Sequence, residues 1–261
     1  MSDLAQDFDL IRETAREAAS LALSFRNRPL FRERKADGTI VSEADLEVDR
    51  LLAARLGNAR PGYGWLSEES AEHATRLAAR RVWVLDPIDG TRDFLQGGDG
   101  WTVALCLIED GSPVLSAVVN PVRGEFFEAR AGAGAFLNGH RIHVSKQKEL
   151  SGARIAVPAN PLAKGTWRAP WPGAIPVGAN SRIYRLALVA SGRVDASFAL
   201  NPKWEWDIAA GALLISEAGG TVTAFSGAPL TFNSAEAKVA GIVASVPELH
   251  QLLIERLHEV R

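Results

Sequence analysis

The sequence predicts a layered protein of mixed α and β structure (α/β, in the layered α+β sense), on three observations. Apolar residues recur at helical spacing from Leu4 to Leu56. Short β-rich runs punctuated by glycine or proline fill the stretch from Val82 to Leu137. After Arg154, strands alternate with helices. The first two point to an antiparallel sheet covered by two long helices, and the third to a second α/β unit.

The elements follow in order. Leu4, Phe8, Ile11, Ala15, Ala18, Ala19 and Ala22 mark one face of a first helix. The basic stretch to Lys35 runs into Ala36-Asp-Gly-Thr39, a turn. Ser42 opens a second helix whose stripe is Ala44, Val48, Leu51, Leu52 and Leu56, and Gly57-Asn58 with Pro61-Gly62 ends it. Strands are predicted at Val82–Leu85, Thr102–Ile108, Pro113–Val119, Glu125–Ala129 and Ala135–Leu137. In the second half Arg154–Val157, Val194–Leu200 and Thr221–Phe225 read as strands, and Arg182–Ala190, Ile208–Ala218 and Pro247 onward as helices. The stretch from Pro158 to Ala179, rich in Pro, Gly and Trp, reads as a surface loop. A boundary between Asn138-Gly139 and Ser151-Gly152 divides the chain into an α+β half, 1–140, and an α/β half, 141–261.

Composition narrows the function classes. With 47% hydrophobic and 23% charged residues the chain is an ordinary globular mixture. A net charge of −2 leaves no basic field for a nucleic-acid backbone. The single cysteine, Cys106, sits in an apolar strand and forms no intrachain disulfide, which suits a cytoplasmic location. The acidic start lacks a signal sequence, and no apolar run reaches membrane-span length. The five histidines show no zinc-ligand spacing, and no phosphate loop, dinucleotide fingerprint or Gly-x-Ser-x-Gly elbow is present.

Chemistry is concentrated in carboxylates at the ends of elements. In Trp83-Val-Leu-Asp-Pro-Ile-Asp-Gly-Thr91 an apolar strand runs into Asp86, Pro87 and Gly90 turn the chain, and Asp89 returns three residues later. Two acids on so tight a turn repel unless a hard divalent cation lies between them; the competing reading is a polar turn with Asp89 or Thr91 as an N-cap. Ser67-Glu-Glu-Ser70, taken alone, reads as a solvated helix start before an Ala-rich helical run. Ser42-Glu-Ala-Asp45 has the form of a capping box. Trp204-Glu-Trp-Asp207 leads into an apolar helix that Asp207 caps, where a buried acid calls for a counter-charge.

Taken together, Ser42-Glu-Ala-Asp45, Ser67-Glu-Glu-Ser70, Asp86-Pro-Ile-Asp-Gly-Thr91, Trp206-Asp207-Ile-Ala-Ala-Gly and Glu217-Ala-Gly-Gly220 resemble the inositol monophosphatase superfamily of magnesium-dependent, lithium-sensitive phosphatases. The resemblance implies an αβαβα sandwich with the active site between the two halves, and two or three Mg²⁺ ions held by Glu68, Asp86, the Ile88 carbonyl, Asp89 and Asp207. It further implies a water activated by Asp45 and Thr91 with Glu68 among the catalytic groups. Substrate contacts would come from Gly90, Thr91, Asp207 and Lys35. The implied partner is a small phosphorylated metabolite, with neither membrane nor nucleic acid, in a homodimer.

Within the superfamily, Glu205-Trp206-Asp207 and the absence of an acid from Ala196 to Pro202 resemble the 3'(2'),5'-bisphosphate nucleotidase branch. Adenosine 3',5'-bisphosphate is therefore the expected substrate, with inositol 1-phosphate and histidinol phosphate as alternatives. A reading from another class is a non-catalytic member that binds RNA or a transcription complex.

Overall fold

The computed structural model describes residues 3–26, 28–35, 38–70, 74–157, 171 and 173–257. Helix α1 (Asp3–Phe25) forms where its stripe predicts, with Ile11, Ala15, Ala18 and Ala22 fully buried and Leu4 and Phe8 half-buried. Its buried face also carries Asp7, which an apolar count passes over. That carboxylate accepts hydrogen bonds from Arg60 Nε at 2.6 Å and Tyr63 Oη at 2.7 Å, which offsets its burial. The turn at Gly38 joins a hairpin of β1 (Arg32–Arg34) and β2 (Ile40–Ser42); Ala36 and Asp37 lie outside the described residues. Helix α2 (Glu43–Leu52) starts after Ser42 as expected and continues into a π-helical turn, Ala53–Gly57.

The first sheet holds seven strands in sequence order: β3 (Gly64–Ser67), β4 (Arg81–Asp89), β5 (Thr102–Glu109), β6 (Ser112–Asn120), β7 (Glu125–Arg130), β8 (Gly134–Leu137) and β9 (His140–Arg141). Helix α3 (Thr91–Leu95) lies between β4 and β5. All neighbours pair antiparallel except β3 and β4, which are parallel, so the all-antiparallel expectation is corrected at that edge. A parallel pair needs a crossover, here the chain between Ser67 and Arg81. The helix expected in that crossover is, over the described residues, a short 3₁₀ turn at Ala74–Ala78; residues 71–73 lie outside the description.

Side chains alternate across this sheet with the two-residue period of a strand. Trp83, Leu85, Leu105 and Leu107 pack against α1 and α2. Val82, Val84, Ala104, Cys106 and Ile108 join the opposite core, which contains α4 (Arg182–Ala190) and α5 (Ala209–Glu217). A Cβ on Gly211 of α5 would stand 2.5 Å from Leu186 Cβ, so a bare glycine sets the approach of these two helices. Glu217 at the end of α5 accepts from Gly132 N at 2.8 Å and Gly134 N at 2.7 Å, tying the helix to the β7–β8 turn.

A second sheet, in the order β11-β10-β12-β16-β14, lies beyond those helices. It comprises β10 (Arg154–Val157), β11 (Ile175–Gly178), β12 (Ala196–Ala199), β14 (Thr221–Ala224) and β16 (Ile242–Ser245); β13 (Lys203–Trp204) and β15 (Lys238–Val239) make a separate small ribbon. The Pro158–Ala179 stretch is not loop throughout: β11 is an edge strand parallel to β10, while 158–170 and 172 lie outside the described residues. Helix α6 (Pro247–Leu257) closes the outer face with Leu249, Leu253 and Leu257 against Ile155, Phe198 and Val243. The layers run helices, sheet, helices, sheet, helix: the αβαβα order.

Candidate active site

Strand β4 delivers the first two acids. Its sequence suggests a turn at Pro87, but the strand continues to Asp89, with a bulge between Asp86 and Asp89. The bulge absorbs the proline, which has no N–H for the ladder, and brings both carboxylates together. The chain turns only at Gly90, in the left-handed region with φ +97°. A Cβ there would lie 3.2 Å from Ser181 Cβ and 3.3 Å from Trp101 Cα.

The third acid arrives on the turn that precedes α5 and packs against β4. Asp207 is not the cap of α5, as its position suggested. It closes a 3₁₀ turn, Glu205–Asp207, and Ile208 stands between it and the helix. Glu205 is fully buried and turned away: it accepts from Asn233 N at 2.7 Å, Ser234 N at 2.8 Å and the Ser234 hydroxyl at 2.7 Å, anchoring the turn. One carboxylate oxygen from each of Asp86, Asp89 and Asp207 falls within 4.8 Å of the others.

Three acids so close need compensation, and the protein supplies it unevenly. Asp89 Oδ2 accepts the Ser181 hydroxyl at 2.5 Å and Ile183 N–H at 2.6 Å at the start of α4. Arg182 Nη1 lies 2.5 Å from Asp207 Oδ2. Both oxygens of Asp86 are buried without any hydrogen-bond partner. Burial first, then the charges of Glu68, Asp89 and Asp207, push the Asp86 carboxyl well above the usual range. Burial likewise moves Asp207 up to about 6 against the pull of Arg182. An orphaned buried carboxylate flanked by two more, all hard oxygen donors, fits a divalent cation.

Glu68 stands beside this trio rather than in it. Its carboxylate is 3.7 Å from Lys35 Nζ, and burial raises it to about 8 despite that cation. Lys35 Nζ also lies 2.7 Å from the Glu69 carboxylate and 3.3 Å from the Glu68 carbonyl oxygen. The glutamates are thus held in a half-buried ion-paired turn, not in a solvated helix start. Asp45 forms the predicted capping box, its Oδ2 accepting Ser42 N–H at 2.8 Å and the Ser42 hydroxyl at 2.5 Å. Its Oδ1 lies 3.1 Å from Thr91 Oγ1, which is also 3.1 Å from the Ile88 carbonyl oxygen. Capping therefore does not compete with a role in the site; one carboxylate has an oxygen for each.

Lys35, Glu68, Asp86, Ile88, Asp89, Gly90, Thr91 and Asp207 all line one cavity of about 610 Å³. Sequence reasoning missed Asn180, Arg182 and Lys203, which also line it, because isolated polar residues on two separate segments carry no spacing signal. There Trp204 and Trp206 stack with centroids 4.7 Å apart, and Lys203 is half-buried near Arg182. Arg185 lies behind, buried, its Nη1 donating to the Ala179 carbonyl at 2.9 Å.

The model of the inositol monophosphatase family matches residues 3–261. The chain belongs to that family. It is 34% identical over 230 residues to the Nus factor SuhB of Xylella fastidiosa, covering 84% of this chain and 82% of that one. It is 37% identical over 204 residues to the inositol-1-monophosphatase of Rhizobium meliloti, covering 72% and 73%. Among solved structures, an inositol monophosphatase of Thermotoga maritima superposes with a TM-score of 0.83 at 28% identity, covering 98% of this chain and 97% of that one. Members of the inositol monophosphatase family are metal-dependent phosphomonoesterases, and the chain is a phosphatase with a buried acidic cluster suited to metal. These names reach the family and no further into its nucleotidase branch. Among the described residues no helix is long and apolar enough to cross a membrane.

Proposed function

We propose that this phosphatase is Mg²⁺-dependent and removes the 3'-phosphate of adenosine 3',5'-bisphosphate. The site lies where the 1–140 and 141–261 halves meet. Asp86, Asp89, Asp207, Glu68 and the Ile88 carbonyl would hold two or three ions. Bound Mg²⁺ supplies positive charge to the phosphoryl oxygens and makes a water acidic enough to attack.

The chain's own residues do the rest. Thr91 donates its hydroxyl proton toward Asp45 Oδ1, which leaves the Thr91 oxygen free to accept from the incoming water. Asp45 then receives the proton through that short path, its other oxygen held by Ser42. The Gly90 and Thr91 backbone amides cradle the phosphate, and Lys35 keeps the Glu68 turn charge-balanced.

The observation that carries the substrate is the set of cations and aromatic rings that line the cavity beside Asp207. Arg182 and Lys203 suit a second anionic group, and the Trp204–Trp206 stack suits a planar base. A neutral polyol would gain little from either. The relatives named inositol-1-monophosphatase support a second reading, inositol 1-phosphate. Phosphate release from adenosine 3',5'-bisphosphate, inositol 1-phosphate and histidinol phosphate, with Mg²⁺ and with EDTA, separates these. The bisphosphate should turn over fastest, and only with Mg²⁺. Preference for inositol 1-phosphate would replace the substrate while keeping the chemistry.

A further inference from the structure

Asp49 is a buried carboxylate, 8% exposed, one helical turn beyond Asp45 on α2. Both of its oxygens are used. Oδ1 accepts the Ser67 hydroxyl at 2.5 Å, and Oδ2 accepts the Ser70 hydroxyl. Those serines bracket Glu68 and Glu69. Among the described residues no lysine or arginine pairs with Asp49; the two serine hydroxyls are its side-chain partners.

The bracket fixes what the sheet leaves loose. On its inner side the turn is held by Glu68 N–H donating to the Leu85 carbonyl at 3.3 Å, where β3 runs beside β4. Beyond Glu68 the ladder ends. Without Asp49 the Glu68 side chain would be tied only through Lys35, a flexible partner. With it, Glu68 and Asp45 hang from the same rigid helix, and their separation is set by α2.

We propose that Asp49 is a positioning residue: by clamping Ser67 and Ser70 to α2 it holds Glu68 at a fixed place relative to Asp45 and the Asp86–Asp89–Asp207 cluster. This rests on the reading of Glu68 as a metal ligand. Asn in its place keeps the volume but replaces one of the two acceptors by an amide donor, so the two-point clamp is lost.

The test is Mn²⁺ binding to the whole protein, followed by electron paramagnetic resonance, beside melting temperature in EDTA. Asp49→Asn should weaken Mn²⁺ binding by about tenfold, as loss of an outer partner of a ligand does, with the EDTA melting temperature little changed. Ser67→Ala and Ser70→Ala should act in the same direction, and the triple variant should bind no worse than Asp49→Asn, because all three remove one clamp. The serine variants carry the test should Asp49→Asn fail to fold. Unchanged Mn²⁺ affinity in Asp49→Asn, or losses that add in the triple variant, would overturn the proposal. Glu68→Gln is the control: if it leaves Mn²⁺ binding intact, the metal-ligand reading of Glu68 falls first.

Discussion

Asp45 and Thr91 are 46 positions apart in the chain, yet the carboxylate oxygen and the hydroxyl oxygen stand 3.1 Å from each other. One belongs to the first turn of α2 and the other to the first residue of α3, and the β4 bulge with Gly90 brings the second to the first. In the proposed hydrolysis a proton leaving the attacking water through Thr91 would have a short path to Asp45, whose carboxyl burial raises.

Removing that path should separate catalysis from structure. Thr91→Val keeps the shape and deletes the hydroxyl, so kcat should fall by roughly two orders of magnitude. The KM and the melting temperature should stay near those of the parent. Phosphate-release kinetics and a thermal melt check this; a normal kcat would sink the relay.

Asp89→Asn retains an oxygen for Ser181 and Ile183 while removing one charge from the cluster. Hydrolysis should drop by roughly a hundredfold or more, and the melt in EDTA should hold or rise because like-charge repulsion is relieved. Near-normal turnover of this variant would contradict the site.

The acids also set a pH dependence. Glu68 sits at about 8 against an ordinary 4.5, and Asp207 at about 6 against 3.8, each raised chiefly by burial. A carboxyl raised in the fold binds protons that the unfolded chain releases, so its contribution is full below the ordinary value and lost as pH climbs through the raised one. Metal-free protein should therefore melt progressively lower from about pH 4 to about pH 8. The melting-temperature gain from Mg²⁺ should grow over the same range, since the ion takes the place of those protons. Scanning fluorimetry with EDTA or Mg²⁺ across that range measures both; a flat EDTA profile would count against the buried charges.

Arg182→Gln removes a cation from the cavity lining and unpairs Asp207. The KM for adenosine 3',5'-bisphosphate should rise about tenfold or more, the scale of one lost charged hydrogen bond. That for inositol 1-phosphate should move much less. Equal losses on both substrates would assign Arg182 to the cluster and not to the substrate.

Gly211→Ala probes the inner helical layer. The added Cβ meets Leu186 Cβ at 2.5 Å between two buried helices, so unfolding in urea should show a loss of about 1–3 kcal/mol. A neutral result would mean that α4 and α5 can part at little cost.

Much of this protein was legible before any coordinates. The stripes of α1 and α2, the limits of α4 and the core strands β5, β6 and β7 follow from local periodicity, because one face of each element must leave water. The Asp-Pro-Ile-Asp-Gly-Thr run marked the site, because adjacent acids at the end of an apolar strand invite a cation. What stayed hidden was non-local. Strands β3, β11 and β16 carried no distinct local signal and take their conformation from the neighbours they pair with.

The sequence alone therefore determined the alternation of elements and the kinds of side chain available for chemistry. The tertiary structure decided which of them meet. Asp207 joins Asp86 and Asp89 because α5 packs behind their sheet, Arg182 reaches the cavity because Asp89 holds the start of α4, and Ser67 beside Glu68 is tied to α2 by Asp49. Those meetings depend on layer spacing and side-chain reach across the core, quantities that no local pattern along the chain encodes.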